Sequence, residues 1–150
     1  MRRLAVALAI TLSGCGHIVV LNDPLTAAEH NDLGVAYEQA GHKDLAAREY
    51  RKALKRDRHF AVARVNLGNL AAASGEWADA EKCYRRALRD RPDDADAMNN
   101  LATALLKRGK RLDEAEQLAA RAVATGGRDS LYRATLAEVQ SARSAAADRR

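Results

Sequence analysis

Displaced by 34 residues, the chain matches itself. Setting 27–60 over 61–94 gives identity at nine positions, those of Ala27, Leu33, Gly34, Gly41, Ala46, Tyr50, Arg51, Ala53 and Leu54. Leu33-Gly34 recurs as Leu67-Gly68 and then as Leu101-Ala102, while Gly41 recurs as Gly75 and Gly109. A period of this length limits the fold more than any single motif, because one such unit cannot bury its own apolar face and must stack on the next. The recurring positions are the small and large apolar residues that a packed helix pair needs.

Within each unit the apolar pattern is helical. Residues 27–40 and 44–55 follow i, i+3, i+4 spacing and break at Gly41, which marks a helix end. Thr26-x-x-Glu29 behind Pro24 is a capping box that starts the first helix, and Asp93-Asp94 supplies the cap and N-terminal charge of the fifth. Gly34, Gly68 and Ala102 fall inside helices, where Gly costs ~1 kcal/mol against Ala. Such a cost is expected where the backbone of the second helix of the same unit comes close. Gly126-Gly127 ends the sixth helix, and Leu131, Tyr132, Thr135, Leu136 and Val139 pattern a seventh that lacks a partner and reads as a cap on the stack. Composition agrees: 33 of 150 residues are Ala, aromatics make up 4%, and there are two Pro. That excludes collagen, a disulfide scaffold and long disorder, and it leaves too few β-branched and aromatic residues for a β-sandwich.

These residues resemble the tetratricopeptide repeat (TPR) family, whose pattern is W-x2-L-G-x2-Y…A-x3-F…P. The first repeat, 27–60, reads His30-x2-Leu33-Gly34-x2-Tyr37…Ala46-x3-Tyr50, with Arg58 in place of Pro. The second, 61–94, reads Arg64-x2-Leu67-Gly68-x2-Ala71…Ala80-x3-Tyr84…Pro92. The third, 95–129, reads Met98-x2-Leu101-Ala102-x2-Leu105 and needs one inserted residue after Gly109 to bring Ala115, Ala119 and Ala122 into register. The resemblance implies an all-α solenoid of three helix pairs, a capping helix over 130–146 and a tail at 147–150.

The N-terminus carries a separate signal. Met1-Arg2-Arg3 is a short basic head, and Leu4–Leu12 is apolar apart from Thr11. Nine helical residues rise only ~14 Å, less than half of a ~30 Å hydrocarbon core, so the segment is laid out as the head and apolar run of a secretory signal and not as a span. Leu12-Ser13-Gly14-Cys15 follows at once and resembles a bacterial lipobox. The resemblance implies a signal peptide over 1–14, lipid attachment at Cys15 and a tether over 15–25. Gly16, where an Asp would favour the inner membrane, implies an outer-membrane lipoprotein facing the periplasm. Acyl chains on Cys15 exceed the two-chain requirement for stable anchoring. Cleavage there lowers the net charge from +5 to +3. The other cysteine, Cys83, lies in a helical pattern and reads as a structural thiol.

No catalytic set emerges. His17, His30, His42 and His59 lack metal spacing, and neither CxxC nor HExxH occurs. Asp93-Asp94-Ala95-Asp96 lacks the Gly and terminal Glu of a calcium loop, and Trp77 reads as packing the turn after Gly75. The expectation is a protein without cofactor or metal that is not an enzyme. Acidic and basic residues are interspersed, with no clustered basic face of the kind nucleic-acid binders present, so no nucleic acid is expected.

What remains is the concave groove that stacked helix pairs form from their first helices. Groove positions carried over from the family are Asn31, Val35 and Glu38, then Val62, Val65, Asn69 and Ala72, then Asn99, Thr103 and Leu106. Asn can donate to and accept from a peptide backbone, and Val and Leu can bury apolar side chains. The positions that hold Lys and Arg in carboxylate-clamp TPRs are here Asn31, Val35, Asp96 and Asn100, with Asn66 alone fitting, which argues against a C-terminal carboxylate as ligand. Arg48, Arg51, Lys52, Lys55 and Arg56 fall on the outer helix and read as a solvated convex face. The functional expectation is a membrane-anchored adaptor or assembly factor of the bacterial envelope, similar to pilotin-type TPR lipoproteins of pilus or secretion machines. A scaffold that docks envelope peptidases or peptidoglycan hydrolases is the second reading.

Overall fold

The computed structural model describes residues 23–126 and 130–148. The expected leader, Cys15 and most of the tether lie outside the described residues, as do Gly127 and the last two residues of the tail. The described chain forms seven helices: α1 (Ala27–Gln39), α2 (Lys43–Arg56), α3 (Ala61–Ala73), α4 (Trp77–Asp90), α5 (Ala95–Lys107), α6 (Leu112–Gly126) and α7 (Ser130–Ala147). They pair as α1 with α2, α3 with α4 and α5 with α6, and α7 closes the stack on α6 and α5. The odd helices α3, α5 and α7 also touch one another along the stack, whereas the even ones do not pack together to that extent. The odd helices therefore line the inner, concave side and the even helices the outer, convex side. This is an all-α solenoid with a C-terminal capping helix.

Local signals set the ends of several helices. Thr26 caps α1 by accepting the Glu29 N–H at 3.2 Å, and Glu29 Oε2 accepts the Thr26 N–H at 2.8 Å, the reciprocal bonds of a capping box. Asp94 Oδ1 caps α5 by accepting the Ala97 N–H at 3.0 Å. α3 ends before Gly75, whose φ of +77° is open to glycine and strained for any side chain.

The helices of a pair are interlocked by a glycine and a tyrosine. A Cβ added at Gly68 would lie 2.5 Å from Cε1 of Tyr84, and one at Gly34 would meet the ring of Tyr50 in the same way. Tyr50 and Tyr84 are buried. The sequence suggested a close approach of backbone to backbone; the neighbour is instead the ring of a tyrosine side chain. In the third pair both partners shrink to Ala102 and Ala119, and Met98, Leu101 and Leu105, all fully buried, supply the missing volume. A further glycine–ring contact joins Gly126 at the end of α6 to Tyr132 of α7. Gly126 thus seats the capping helix as well as closing α6.

Polar groups tie the stack at its first repeat and again between the second and third. His30 is buried; its Nδ1 lies 2.8 Å from Glu49 on α2 and its Nε2 3.2 Å from Asp23. Burial acts to raise the Glu49 pKa, but hydrogen bonds from Lys52 and His30 outweigh it and hold the carboxyl below its ordinary value. On the convex side, Glu81 of α4 receives Arg85 at 2.8 Å, Arg108, and Arg111 at 3.3 Å. Arg111 sits in the turn where the third repeat carries its inserted residue, and it is the one non-glycine with positive φ among the described residues, +52°. Backbone in that region costs roughly 1–2 kcal/mol; from it Arg111 reaches Glu81 at 3.3 Å and Glu114 at 4.0 Å.

The Gly–Tyr interlock makes a sign-specific prediction. Gly to Ala inside a helix ordinarily stabilises by ~1 kcal/mol. Gly68→Ala should instead destabilise by ~1–3 kcal/mol through overpacking against Tyr84. Thermal melts of the purified chain decide it, and a variant that melts at or above the parent temperature contradicts the interlock.

Candidate functional site

The concave face contains an open pocket of about 310 Å³, lined by Asn69, Ala72 and Ala73 of α3, Trp77 and Tyr84 of α4, and Asn100 and Thr103 of α5. It forms where two repeats meet. The alanines of α3 keep its wall low, and Trp77 at the start of α4 closes one side while also packing on the core. Tyr84, held against Gly68, passes under α3 and presents its hydroxyl to the pocket floor.

The polar groups of the pocket form one cluster. Oδ1 of Asn69 accepts the Tyr84 hydroxyl at 2.9 Å and the Asn100 amide at 3.0 Å. Burial pushes the Tyr84 phenol pKa well above its ordinary value, so it remains a donor at any physiological pH. These bonds leave the Asn69 amide nitrogen and the Asn100 carbonyl oxygen without a partner among the described residues. One donor and one acceptor side by side match the N–H and C=O of an extended peptide. The Thr103 hydroxyl donates to the carbonyl of Asn99 at 3.1 Å, which turns its methyl group outward from that bond. The site can hold and orient a peptide segment with one small or flat apolar side chain. Among the described residues no group of His, Cys, Asp or Glu could hold a metal ion.

The other expected groove residues are distributed differently. Asn31 is buried, accepts the Asn66 amide at 3.0 Å and so ties α1 to α3. Val65 is buried in the main core, and Leu106 packs half-buried against it. Val35 is half-buried in the core of the first pair. Glu38 accepts the Tyr50 hydroxyl at 2.7 Å, and burial together with that carboxylate raises the Tyr50 pKa. Val62 is 38% exposed on the groove helix α3, away from the pocket lining. Asn99 is buried with its Oδ1 unpartnered, so it points inward from the groove. Of the ten positions, the structure brings together Asn69, Ala72 and Thr103. It adds Asn100, Tyr84, Ala73 and Trp77. The sequence carried a signal for Asn100, which repeats Asn66 at the 34-residue offset; for Trp77 it carried none, because its role depends on where the turn after Gly75 places it.

Two family descriptions, each a tetratricopeptide repeat, match residues 27–60 and 65–130, together two thirds of the chain. The chain belongs to the tetratricopeptide repeat family. No curated protein matches it by sequence. Among solved structures it is similar to the first TPR of Spaghetti (RPAP3) bound to the HSP90 peptide SRMEEVD, with a TM-score of 0.74 and 19% identity over 79% of this chain and 93% of that one. It is similar in the same measure to the first TPR domain of the human RPAP3 protein, at a TM-score of 0.73 and 19% identity, again over 79% and 93% of the two chains. At that identity the likeness concerns the fold.

Asn69 is the common acceptor of this cluster. Asn69→Leu should cost ~1–3 kcal/mol by leaving Tyr84 and Asn100 without their partner, and Tyr84→Phe combined with it should recover part of that loss. Denaturant melts of the two variants check it; equal stability of Asn69→Leu and the parent would contradict the shared bonds.

Proposed function

We propose that this chain is a lipid-anchored TPR interaction module of the bacterial cell envelope. Tethered to the outer membrane on its periplasmic side, it holds a segment of a partner protein in its concave groove and serves as adaptor or assembly factor for pilus- or secretion-type machinery. The observation that carries the binding part is the pocket at Asn69 and Asn100, with a free amide donor and a free carbonyl acceptor beside the apolar Ala72, Ala73 and Trp77. That the first TPR of Spaghetti is bound to an HSP90 peptide supports a peptide as the class of ligand. The anchoring part rests on Leu12-Ser13-Gly14-Cys15 behind the apolar run 4–12. No helix among the described residues is long and apolar enough to cross a membrane, and the lipid supplies the attachment.

A groove spanning three repeats is short, so the affinity expected is about micromolar, −8 kcal/mol. Thr103→Arg fills the pocket and should weaken partner capture at least tenfold without unfolding the chain. Co-purification of the native partner from detergent extract, with circular dichroism as the folding control, is the measurement. Undiminished capture by Thr103→Arg refutes the pocket. Cys15→Ala should release the protein from the membrane fraction or leave it as an unprocessed precursor. An unchanged membrane fraction carrying a cleaved, unlipidated N-terminus would sink the anchor.

A further inference from the structure

Charges that are interspersed along the chain are segregated in space, most of all in the first repeat. The groove helix α1 carries Glu29, Asp32 and Glu38 with no Lys or Arg. Its outer partner α2 carries Lys43, Arg48, Arg51, Lys52, Lys55 and Arg56 against Asp44 and Glu49. The basic set is periodic as well: Arg48, Arg51, Lys52 and Lys55 recur on α4 as Lys82, Arg85, Arg86 and Arg89. Spacing of i, i+3, i+4 and i+7 puts each quartet on one face of its helix. On α6 the same positions hold Gln117, Ala120, Arg121 and Ala124, so the stripe ends with the second repeat.

Three of the eight stripe residues are paired, Lys52, Lys82 and Arg85, the last also with Glu114 of α6 at 2.6 Å, and five are not. Of the carboxylates on these helices, Glu49 is used by His30 and Lys52, Asp79 by Lys82, Glu81 by Arg85 and two turn arginines, and Asp90 by His59 and Arg64. Arg48, Arg51, Lys55, Arg86 and Arg89 are exposed and have no ion-pair partner among the described residues. The two halves adjoin at the half-buried Cys83 of α4, whose thiol feels both Arg51 and Arg86.

The described chain begins beside this stripe. Asp23, the first described residue, lies 4.0 Å from Lys52 on α2. Cys15 is eight residues earlier, a reach of at most ~28 Å. An anchor at that point holds the basic face of α2 and α4 within a few nanometres of a bilayer, and a cationic face so placed meets lipid phosphates first. Nucleic acid fits less well, since the stripe is the flat outer side of two helices with no aromatic residue interleaved and no element to enter a groove.

We propose that the convex face of the first two repeats is a docking surface for anionic phospholipid headgroups, seating the solenoid on its membrane with the peptide groove turned outward. The proposal rests on the anchored reading above. The test must therefore separate the two.

The full chain, purified from detergent extract, is sedimented with vesicles of phosphatidylcholine alone and of an equal mixture with phosphatidylglycerol. Each basic residue at an anionic surface strengthens partitioning about fivefold. The chain should prefer the anionic vesicles at least tenfold at low salt, and raised salt should erase the preference. Arg48→Glu/Arg51→Glu/Lys55→Glu should abolish it, and the corresponding Gln variant should reduce it by less. Lys107→Glu/Lys110→Glu/Arg133→Glu, the same charge change elsewhere, should keep it. Circular dichroism confirms folding, and the Gln variant serves if the Glu variant does not fold. Equal binding to both vesicles overturns the docking surface and leaves the anchor standing. Anionic preference without retention on phosphatidylcholine removes the anchor and leaves the surface standing. Equal loss in the control variant overturns the proposal by reducing it to net charge. Displacement from anionic vesicles by duplex DNA at equal phosphate overturns it in favour of nucleic acid.

Discussion

The contact between a helical glycine and the ring of a tyrosine on the next helix is the constraint from which the rest of this solenoid follows. Gly34 and Tyr50, Gly68 and Tyr84 set how closely the helices of a pair approach, and each tyrosine carries its hydroxyl through to the groove side. Packing and site are thereby one device. The ring that fills the space left by Gly68 is also the group that donates to Asn69 and fixes the pocket floor. In the third pair the device is replaced by Ala102 and Ala119, with the volume moved to Met98 and Leu105. Large side chains on α5 fill the third interface where the others use a tyrosine of the outer helix, as close packing requires.

Between repeats the polar ties recur in their donor, Asn66 and then Asn100, but not in the position of their acceptor. Asn66 reaches Asn31, Asn100 reaches Asn69, and Tyr132 reaches Asp96 at 2.7 Å. Each bond joins one groove helix to a neighbour in the stack. Among the described residues the second leaves hydrogen-bonding capacity open beside the pocket, and that makes the junction of α3, α4 and α5 the candidate site. On the convex side Glu81 gathers Arg85, Arg108 and Arg111, an arrangement possible because the third repeat carries one extra residue in its turn. A sequence insertion has become an inter-repeat clamp.

Much of the fold was legible because it is periodic. A 34-residue offset, turn glycines at Gly41, Gly75 and Gly109, and caps at Thr26 and Asp94 are local facts, and local facts settle where helices begin, end and pair. The site was legible only in part. Asn69, Ala72 and Thr103 were named as groove residues and line the pocket, while Asn31, Val65 and Asn99 were named on the same grounds and are buried. Helical spacing places a residue on a face. It does not say whether the neighbouring helix covers that face, which depends on the crossing of α1, α3, α5 and α7.

The sequence by itself therefore determined the class of structure: an all-α stack of three helix pairs with a seventh helix as cap. It did so because repeated apolar positions on paired helices are buried only when each unit stacks on the next. Only the tertiary structure decided which asparagines keep open hydrogen-bonding groups, that Trp77 and Tyr84 belong to the pocket, and which basic residues of α2 and α4 lack ion-pair partners. The physical reason is common to all three. Exposure and electrostatic potential are properties of surfaces assembled from several helices, and residues far apart in the chain share them only once the helices have packed.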